Sequence, residues 1–558
     1  MKNRLQLLLF LLLGFTFLST AQNTVGLISY DPIQSFEGYN LIYPHNQSTV
    51  YLLDNCGAVV QSWTDESDFR PGNTAYLTED GLLYKSKRPA AVTTDAIWAG
   101  GGGAILEIRD WDNNLVWSFE MNNDTQRLHH DFAVLPNGNI IALAWELKTI
   151  EECLSAGRDT STLAQNKLWP DWVFEINPNN DEIIWEWHSW DHLVQDFDAT
   201  KANFEVVADH PELIDVNYGR PDGHPDWHHG NALDYHPILD QVLISIPYFD
   251  EIWIIDHTTT TAEAAGHTGG ISGRGGDLMF RWGNSATYDQ GDETSQQLFF
   301  QHDAHWIDEF LEPGHPYFGK IGVFNNRVGE DYSSFGVIEP FWDMYEWSYL
   351  TNTDDTFLPA GFDYTGVHPV DSTALWSTGL SSVQYLPNGN ILVTSGRFGY
   401  SFEMTPNNQI VWEYITPLSG GNPVEQGDTT LMMNSNLTFR MDRYPIDFEA
   451  FAGKDLSPKG WIELNPNETF CDDLTPIEEI LDQQAFRVYP NPSNHFLAIE
   501  WDGMRSVDLK VVNLLGQMLA HYPECTGGRK YITTTEWSEG IYFVVIDNQY
   551  SRKVILQR

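Results

Sequence analysis

Tyr400–Tyr414 reads YSFEMTPNNQIVWEY and Trp172–Trp187 reads WVFEINPNNDEIIWEW. Each is an apolar run, a turn rich in Asn, and a second apolar run closing on aromatics. That is the pattern of a β-hairpin, with turn residues placed where the backbone reverses. It recurs at Val50–Trp63 (VYLLDNCGAVVQSW) and Ala104–Phe119 (AILEIRDWDNNLVWSF). Phe335–Tyr349 (FGVIEPFWDMYEWSY) is a fifth copy, and Glu251–Asp256 with Asp277–Trp282 a sixth, split by a Gly/Thr-rich insertion. A second hairpin interleaves with the first. Ala133–Leu143 (AVLPNGNIIAL) and Val383–Thr394 (VQYLPNGNILVT) share the string Leu-Pro-Asn-Gly-Asn-Ile, with looser versions at Ala75–Tyr84, Ala232–Ile246 and His305–Phe324. Two hairpins per unit make four strands. Four-stranded units repeated around an axis make a β-propeller, and closing the ring hides the sheet edges. The expected fold is therefore all-β: a six-bladed β-propeller, with a smaller domain at the C-terminus.

Composition bounds the function. The chain has 558 residues, of which 42% are apolar and 13% aromatic, enough to bury a large core. Asp and Glu number 78 against 30 Lys and Arg, a net charge of −48. Such a balance excludes nucleic acid and anionic lipid as the main partner, because phosphate binding needs a basic face. A small anion held by a local group of Arg and His is still allowed. Lys2 and Arg4, the apolar run Leu5–Leu18 and Ser19-Thr20-Ala21 have the form of a secretory signal peptide over residues 1–21. No later stretch is apolar enough to span a membrane. The four cysteines, Cys56, Cys153, Cys471 and Cys525, leave disulfide pairing open and show no zinc-site spacing. The propeller is expected over residues 22–470 and a polar, acidic linker over 471–485.

Residues 486–558 alternate in short strands, as in a small β-sandwich. They carry Val488-Tyr489-Pro490-Asn491-Pro492, then Asn513-Leu514-Leu515-Gly516, Gly540-Ile541-Tyr542 and Lys553-Val554. In that order these motifs resemble the C-terminal sorting domain of the Bacteroidetes type IX secretion system. The resemblance implies passage through the periplasm and outer membrane to the cell surface or the medium, with the type IX machinery as partner.

Aligned repeats put three histidines at one register, just before the same strand of three units. They are His130 (before DFAV), His229 (before GNAL) and His302 (before DAHW). Equivalent positions of a propeller face one another across its channel, so three imidazoles are expected at one pocket. The neighbours His129 and His228 turn away by strand alternation. Arg327, after Ile321–Asn326, and Arg397, in SGRFG, are candidate anion ligands in an acidic chain.

Phe280-Arg281-Trp282-Gly283-Asn284, Gln301-His302-Asp303 and Val323-Phe324-Asn325-Asn326-Arg327 stand in the order seen in bacterial arylsulfate sulfotransferases. Leu386-Pro387-Asn388-Gly389-Asn390, Phe402-Glu403 and Val411-Trp412-Glu413-Tyr414 fit the same family, and the resemblance runs from about Asp54 to Leu464. It implies a sulfuryl group moved from an aryl sulfate to a phenolic acceptor through a channel histidine, with no nucleotide cofactor and no metal. Carried over, His229 with Asn231 matches one family His, His302 another, and Arg327 the Arg; with the residues read from the repeats, the candidate catalytic set is His229, His302, Arg327, His130 and His305, and the substrate-binding set Asn231, Asn325 and Arg397. The family's nucleophilic histidine comes from a later blade, yet no His lies between His368 and His495, and that blade offers Gly379, Ser381 and Ser382. His229, His302 or His305 takes over, or His368 reaches in from its loop, or the activity is lost. The alternative function is a non-catalytic surface propeller that binds a ligand or glycan. A hydrolase with water as acceptor is a third possibility.

Overall fold

A computed structural model describes residues 23–471 and 486–557, except 93–94, 293, 430, 491–492, 502–505, 514–517, 536, 539 and 547–549. The expected signal peptide, residues 472–485 of the expected linker, and Asn491-Pro492 and Leu514-Leu515-Gly516 of the sorting motifs lie outside the described residues. The chain divides after Cys471 into two compact units.

In the first unit the described residues form six sheets of four or five antiparallel strands. The second sheet shows the plan, with Phe69–Leu77 innermost, then Leu83–Pro89, Ile105–Arg109 and Leu115–Glu120. The innermost strands of the third to sixth sheets are Gln126–Val134, Ala232–His236, His302–Trp306 and Ser382–Tyr385. The first sheet takes its innermost strand, Thr438–Pro445, from the far end of the unit, beside Gly38–Pro44. Each innermost strand touches the next, and Thr438–Pro445 touches Phe69–Leu77, so the ring closes. This is a β-propeller.

Sequence explains the blades locally. In both Pro-Asn-Gly-Asn turns, the Gly has positive φ (Gly138 +83°, Gly389 +87°), which glycine adopts without steric cost. The last Asn of each turn ties it to the third strand of its sheet. Asn139 Nδ2 donates to Glu175 Oε1 and Asn390 Nδ2 to Glu403 Oε1, each at 2.5 Å. Apolar faces then pack between neighbouring sheets. Leu143, Val173, Trp185 and Trp187 of the third, for example, meet Val242, Ile244 and Trp253 of the fourth. The expected hairpin Phe335–Tyr349 is corrected. Ser334–Ile338 pairs instead with Tyr364–Gly366, and Trp342–Tyr349 folds as a separate small hairpin. The run Ile338-Glu339-Pro340 explains the departure, since proline cannot donate to a sheet ladder.

Two further fastenings close the ring. Gly26–Tyr30 adds a fifth strand to the sixth sheet through Ile410–Ile415. A disulfide joins Cys56, in the first sheet's hairpin turn, to Cys471 across a sequence separation of 415. Cys153 is a buried free thiol, pushed up to about 11 by burial.

In the second unit a three-stranded sheet (Phe486–Tyr489, Phe496–Trp501, Arg529–Thr533) and a four-stranded one (Val507–Asn513, Met518–Cys525, Gly540–Ile546, Tyr550–Leu556) form a sandwich. Leu497, Ile499 and Ile532 of one sheet pack with Leu509, Val511 and Val544 of the other.

Candidate functional site

One mouth of the propeller's channel holds a cavity of about 490 Å³, and all six sheets or their connecting loops contribute to its wall. His130, His229, His302, Arg327 and Arg397 meet there. Local backbone kinks aim them inward. A bulge interrupts the innermost strand of the third sheet opposite Ala142 and Ala144, and another lies between His302 and His305. Bulges re-aim side chains beside functional sites. His130 (φ 45°) and His229 (φ 60°) both occupy the left-handed region, uncommon for residues other than glycine. Their rings meet edge to face with centroids 4.5 Å apart.

Each ring is held by a partner that fixes its proton. His229 Nδ1 lies 2.6 Å from Asp226 Oδ2 and donates to it, so in the neutral ring the lone pair is on Nε2. His302 Nδ1 lies 2.8 Å from Asn326 Oδ1. The Asn326 amide cannot turn over, because its Nδ2 donates to Ser377 O and Leu380 O, both at 2.9 Å. His302 Nδ1 therefore carries the proton and its Nε2 is the lone pair. His130 Nδ1 shares one proton with His129 Nδ1 at 3.0 Å. Burial, and then His229 beside it, hold His130 well below the usual imidazole value. Burial likewise brings His302 down to about 3, against the pull of Asn326. These two rings are neutral at pH 7, as nucleophiles and bases must be.

The same cavity is lined by arginines. Arg327 stacks its guanidinium on Phe300, 3.6 Å from the ring centroid, and donates from Nε to Thr378 O at 3.0 Å. Arg397 Nη1 donates to Asn434 Oδ1 at 3.1 Å. Burial, then the neighbouring Arg327, lower the Arg397 guanidinium's hold on its proton. Two further arginines, Arg88 and Arg220, complete the set. Arg220 is paired with Asp222 and Asp226. Arg88, Arg327 and Arg397 make no ion pair among the described residues. Asp226 is the one carboxylate among the described residues of the wall. Three guanidiniums without an ion pair among the described residues, in one cavity with neutral imidazoles, suit an anion with several oxygens, because a planar guanidinium grips two of them at once.

Other expected residues lie elsewhere. His305 sits three residues along the strand from His302, roughly 10 Å at a strand's rise, and lines a separate cavity at the opposite mouth. That second cavity, about 360 Å³, is acidic, with Asp234, Asp303, Asp308 and Asp442 in its wall. Between the mouths Arg440 bridges Asp131 (3.1 Å) and Asp303 (2.8 Å). Asn231 and Asn325 are buried and spend their amide nitrogens on Gln301 O (2.7 Å) and Gln297 O (2.8 Å). His368 bonds Tyr400 Oη at 3.2 Å, away from the cavity wall. His129 and His228 are turned into the protein, stacked on Trp145 and Trp227. Gly379 does belong to the wall, and a Cβ on it would lie 3.7 Å from His302 Cε1. From the second sheet, Pro71 and Asn73 line the wall. Arg88, Arg220, Asp226, His45 and His224 are wall residues that the repeat alignment passes over. Asp226 was legible as a carboxylate three residues before His229, and Arg88 as a cation near a second-strand end, like Arg327 and Arg397.

The model of the arylsulfotransferase (ASST) family matches residues 39–340, more than half of the chain, and that of the secretion system C-terminal sorting domain matches 487–557. The chain belongs to the arylsulfotransferase family. Its tail is a type IX sorting domain, and the protein is exported to the cell surface or beyond. No curated protein matches it in sequence. Among solved structures, the chain is similar to a protein of unknown function from Bacteroides caccae (10% identity, 73% of this chain and 98% of that one, TM-score 0.37). It is also similar to a protein from Lactobacillus plantarum (9%, 89% and 99%, TM-score 0.32) and to virginiamycin B lyase from Staphylococcus aureus (9%, 71% and 90%, TM-score 0.29). No helix among the described residues is long and apolar enough to cross a membrane.

Proposed function

We propose that this exported protein moves a sulfuryl group from an aryl sulfate to a phenol, and that His229 carries the group between them. The observation that supports this best is the Asp226–His229 pair, 2.6 Å apart, on a cavity with three guanidiniums that make no ion pair among the described residues. In the first half-reaction, His229 Nε2 attacks sulfur in line, the S–N bond forms, and the S–O bond to the ring oxygen breaks. The aryl oxide leaves. The sulfated ring is cationic, and Asp226 stabilises it through Nδ1–H. Arg327 and Arg397 stabilise charge spread over the sulfuryl oxygens, as fixed donors do in group transfer generally. In the second half-reaction the phenol oxygen attacks sulfur and the S–N bond breaks. His302 Nε2 accepts the hydrogen bond of the incoming phenol, and the phenol's proton passes to solvent, matching the proton that the released aryl oxide takes up.

His229 is preferred to His302 because of what each ring faces once it becomes cationic. His229 has a carboxylate behind it, whereas His302 has a neutral amide behind it and Arg397 nearby. Gly379, at the place where the resemblance puts the nucleophile, favours a second reading, a propeller that binds an anion without turning it over. The test is release of coloured phenol from a chromogenic aryl sulfate, with and without a phenolic acceptor. Acceptor-dependent release, with sulfate mapped to the His229 peptide, is expected. Release without acceptor makes the protein a hydrolase. No release across a donor panel leaves the binding protein.

A further inference from the structure

A cluster of side chains able to ligate a metal lies where the Gly/Thr-rich insertion of the fourth sheet meets the segment after the outermost strand of the third. The insertion leaves the strand Glu251–Asp256, makes one helical turn at Thr261–Ala264, and returns at Phe280–Trp282. It is tied to the outermost strand of the third sheet, where Trp187 Nε1 donates to Gly276 O at 2.7 Å. Three side chains meet beside that tie. His192 Nδ1 lies 2.9 Å from Asp277 Oδ1, and His267 Nδ1 lies 2.7 Å from the same oxygen. The three atoms are all within 4.8 Å of one another.

The protons of His192 are constrained. Its Nε2 lies 2.8 Å from the carbonyl oxygen of Ala264, and a carbonyl only accepts, so Nε2 carries a proton. In the neutral ring Nδ1 is then a bare lone pair aimed at a carboxylate oxygen, acceptor against acceptor. A proton, on the ring or on the carboxyl, or a metal ion has to lie between them. His192 is fully buried and stacks flat against Trp187, with 6° between the rings. Gly276 makes room for it, since a Cβ there would lie 2.7 Å from His192 Nε2. One ring nitrogen donating to a backbone carbonyl, with the other free, is how metal-bound histidines are usually oriented.

We propose that His192, His267 and Asp277 bind one zinc ion, which fastens the insertion to the propeller. Two imidazole nitrogens and one carboxylate oxygen, with water as a fourth ligand, suit zinc better than the oxygen-seeking Ca²⁺ or Mg²⁺. The donors must spread slightly to admit the ion. His267 can supply that movement, because its side chain is 59% exposed and Gly269 and Gly270 follow close behind it. Sequence spacing hides the site, because His192 and Asp277 are 85 residues apart.

The test uses the untagged mature protein, purified without chelator, with metal content measured by mass spectrometry. The EDTA-treated protein is then titrated with Zn²⁺ by calorimetry, and the insertion is probed by limited proteolysis. One equivalent of zinc and Zn²⁺-dependent protection of the Gly-rich run are expected. His267→Ala, at an exposed position that leaves the core intact, and Asp277→Asn should each weaken Zn²⁺ binding about 100-fold or more and lose the protection. Wild-type protein without bound zinc and without a heat of binding overturns the proposal, leaving a proton between His192 and Asp277. Zinc binding retained by both variants overturns it too, by placing the ion elsewhere.

Discussion

Asp226→Asn separates a nucleophilic His229 from a merely structural one. The Asp226 carboxylate is 1% exposed and the His229 ring 12%, so the bond between them is shielded from water. A hydrogen bond to a charged group is worth about 1.5–3 kcal/mol. Asp226 does most for His229 when sulfur bonds to Nε2 and the ring turns cationic, so its charge stabilises the transition state more than the ground state. Losing ~1.5–3 kcal/mol there slows turnover roughly 10- to 150-fold, at tenfold per ~1.4 kcal/mol. The amide adds a second penalty. If its NH₂ faces Nδ1, the ring must move its proton to Nε2 and the nucleophilic lone pair is gone. The corresponding change in a Ser-His-Asp triad costs about 10⁴ in kcat. The expected loss in kcat is therefore between about 10 and 10⁴. The KM for the donor should change little, because Arg327 and Arg397 are untouched. The assay is initial-rate release of coloured phenol at saturating acceptor, with a thermal melt to verify the fold. A folded variant that keeps wild-type kcat refutes the assignment of His229.

Arg327→Ala should lower kcat/KM about 10²- to 10³-fold and leave the melting temperature unchanged, since the side chain is exposed and makes no ion pair among the described residues; wild-type kinetics in the same assay would remove it from the site. His302→Gln should change how stability depends on pH. His302 holds its proton only below about 3 in the folded state, against ~6.5 in the unfolded chain, so the unfolded state gains protons first as pH falls and wild-type stability drops below ~6.5. Between about pH 7 and 4.5 this one group should cost ~3 kcal/mol, a loss that the Gln variant lacks, and parallel denaturation curves for the two proteins would contradict the buried neutral ring. Gly379→His should fold, because the nearest atoms to a Cβ at that position are those of the Arg397 guanidinium (Nη2 at 3.1 Å) and His302 Cε1 (3.7 Å), all of them side-chain ends. Combined with His229→Ala it should restore acceptor-dependent release above that of His229→Ala alone, and no gain would count against the pocket geometry.

The blades were legible because hairpins are local. An apolar run, Asn-rich turn and second run specify a strand pair wherever they occur, and Asn139 and Asn390 even make the same bond to the third strand. Ring closure was not legible. Gly38–Pro44 and Thr438–Pro445 pair across the whole unit, and nothing in either strand names the other. The site divides in the same way. His130, His229 and His302 share a register, so repetition alone brings them together. His305 is close to them in sequence only, because one strand runs through the channel from mouth to mouth and three residues carry His305 to the acidic end. Asn231 and Asn325 have the chemistry to bind substrate, yet backbone carbonyls hidden from sequence claim their amides. Arg220 and His45 enter from connecting loops, where no periodicity marks them.

The chain's charge sets a last expectation for an anionic donor. Its net charge of −48 repels an aryl sulfate at long range, while the guanidiniums of one mouth attract it at contact. Approach to the other mouth is opposed by its acids, although burial pushes two of them, Asp234 and Asp442, up to about 7 and so weakens their charge. The long-range and contact forces respond differently to salt. The screening length shrinks from about 30 Å at 0.01 M to about 8 Å at 0.15 M and about 3 Å at 1 M. Moderate salt therefore removes the repulsion of distant carboxylates while leaving the contacts with Arg327 and Arg397, and high salt weakens both. The donor KM should accordingly fall from low to physiological salt and rise again toward molar salt, with kcat nearly constant because the transfer occurs within contact distance. Arg327→Ala with Arg397→Ala should abolish the rise and keep the fall. A KM that climbs steadily from the lowest salt would mean that the cationic mouth, and not the acidic surface, already governs capture at long range.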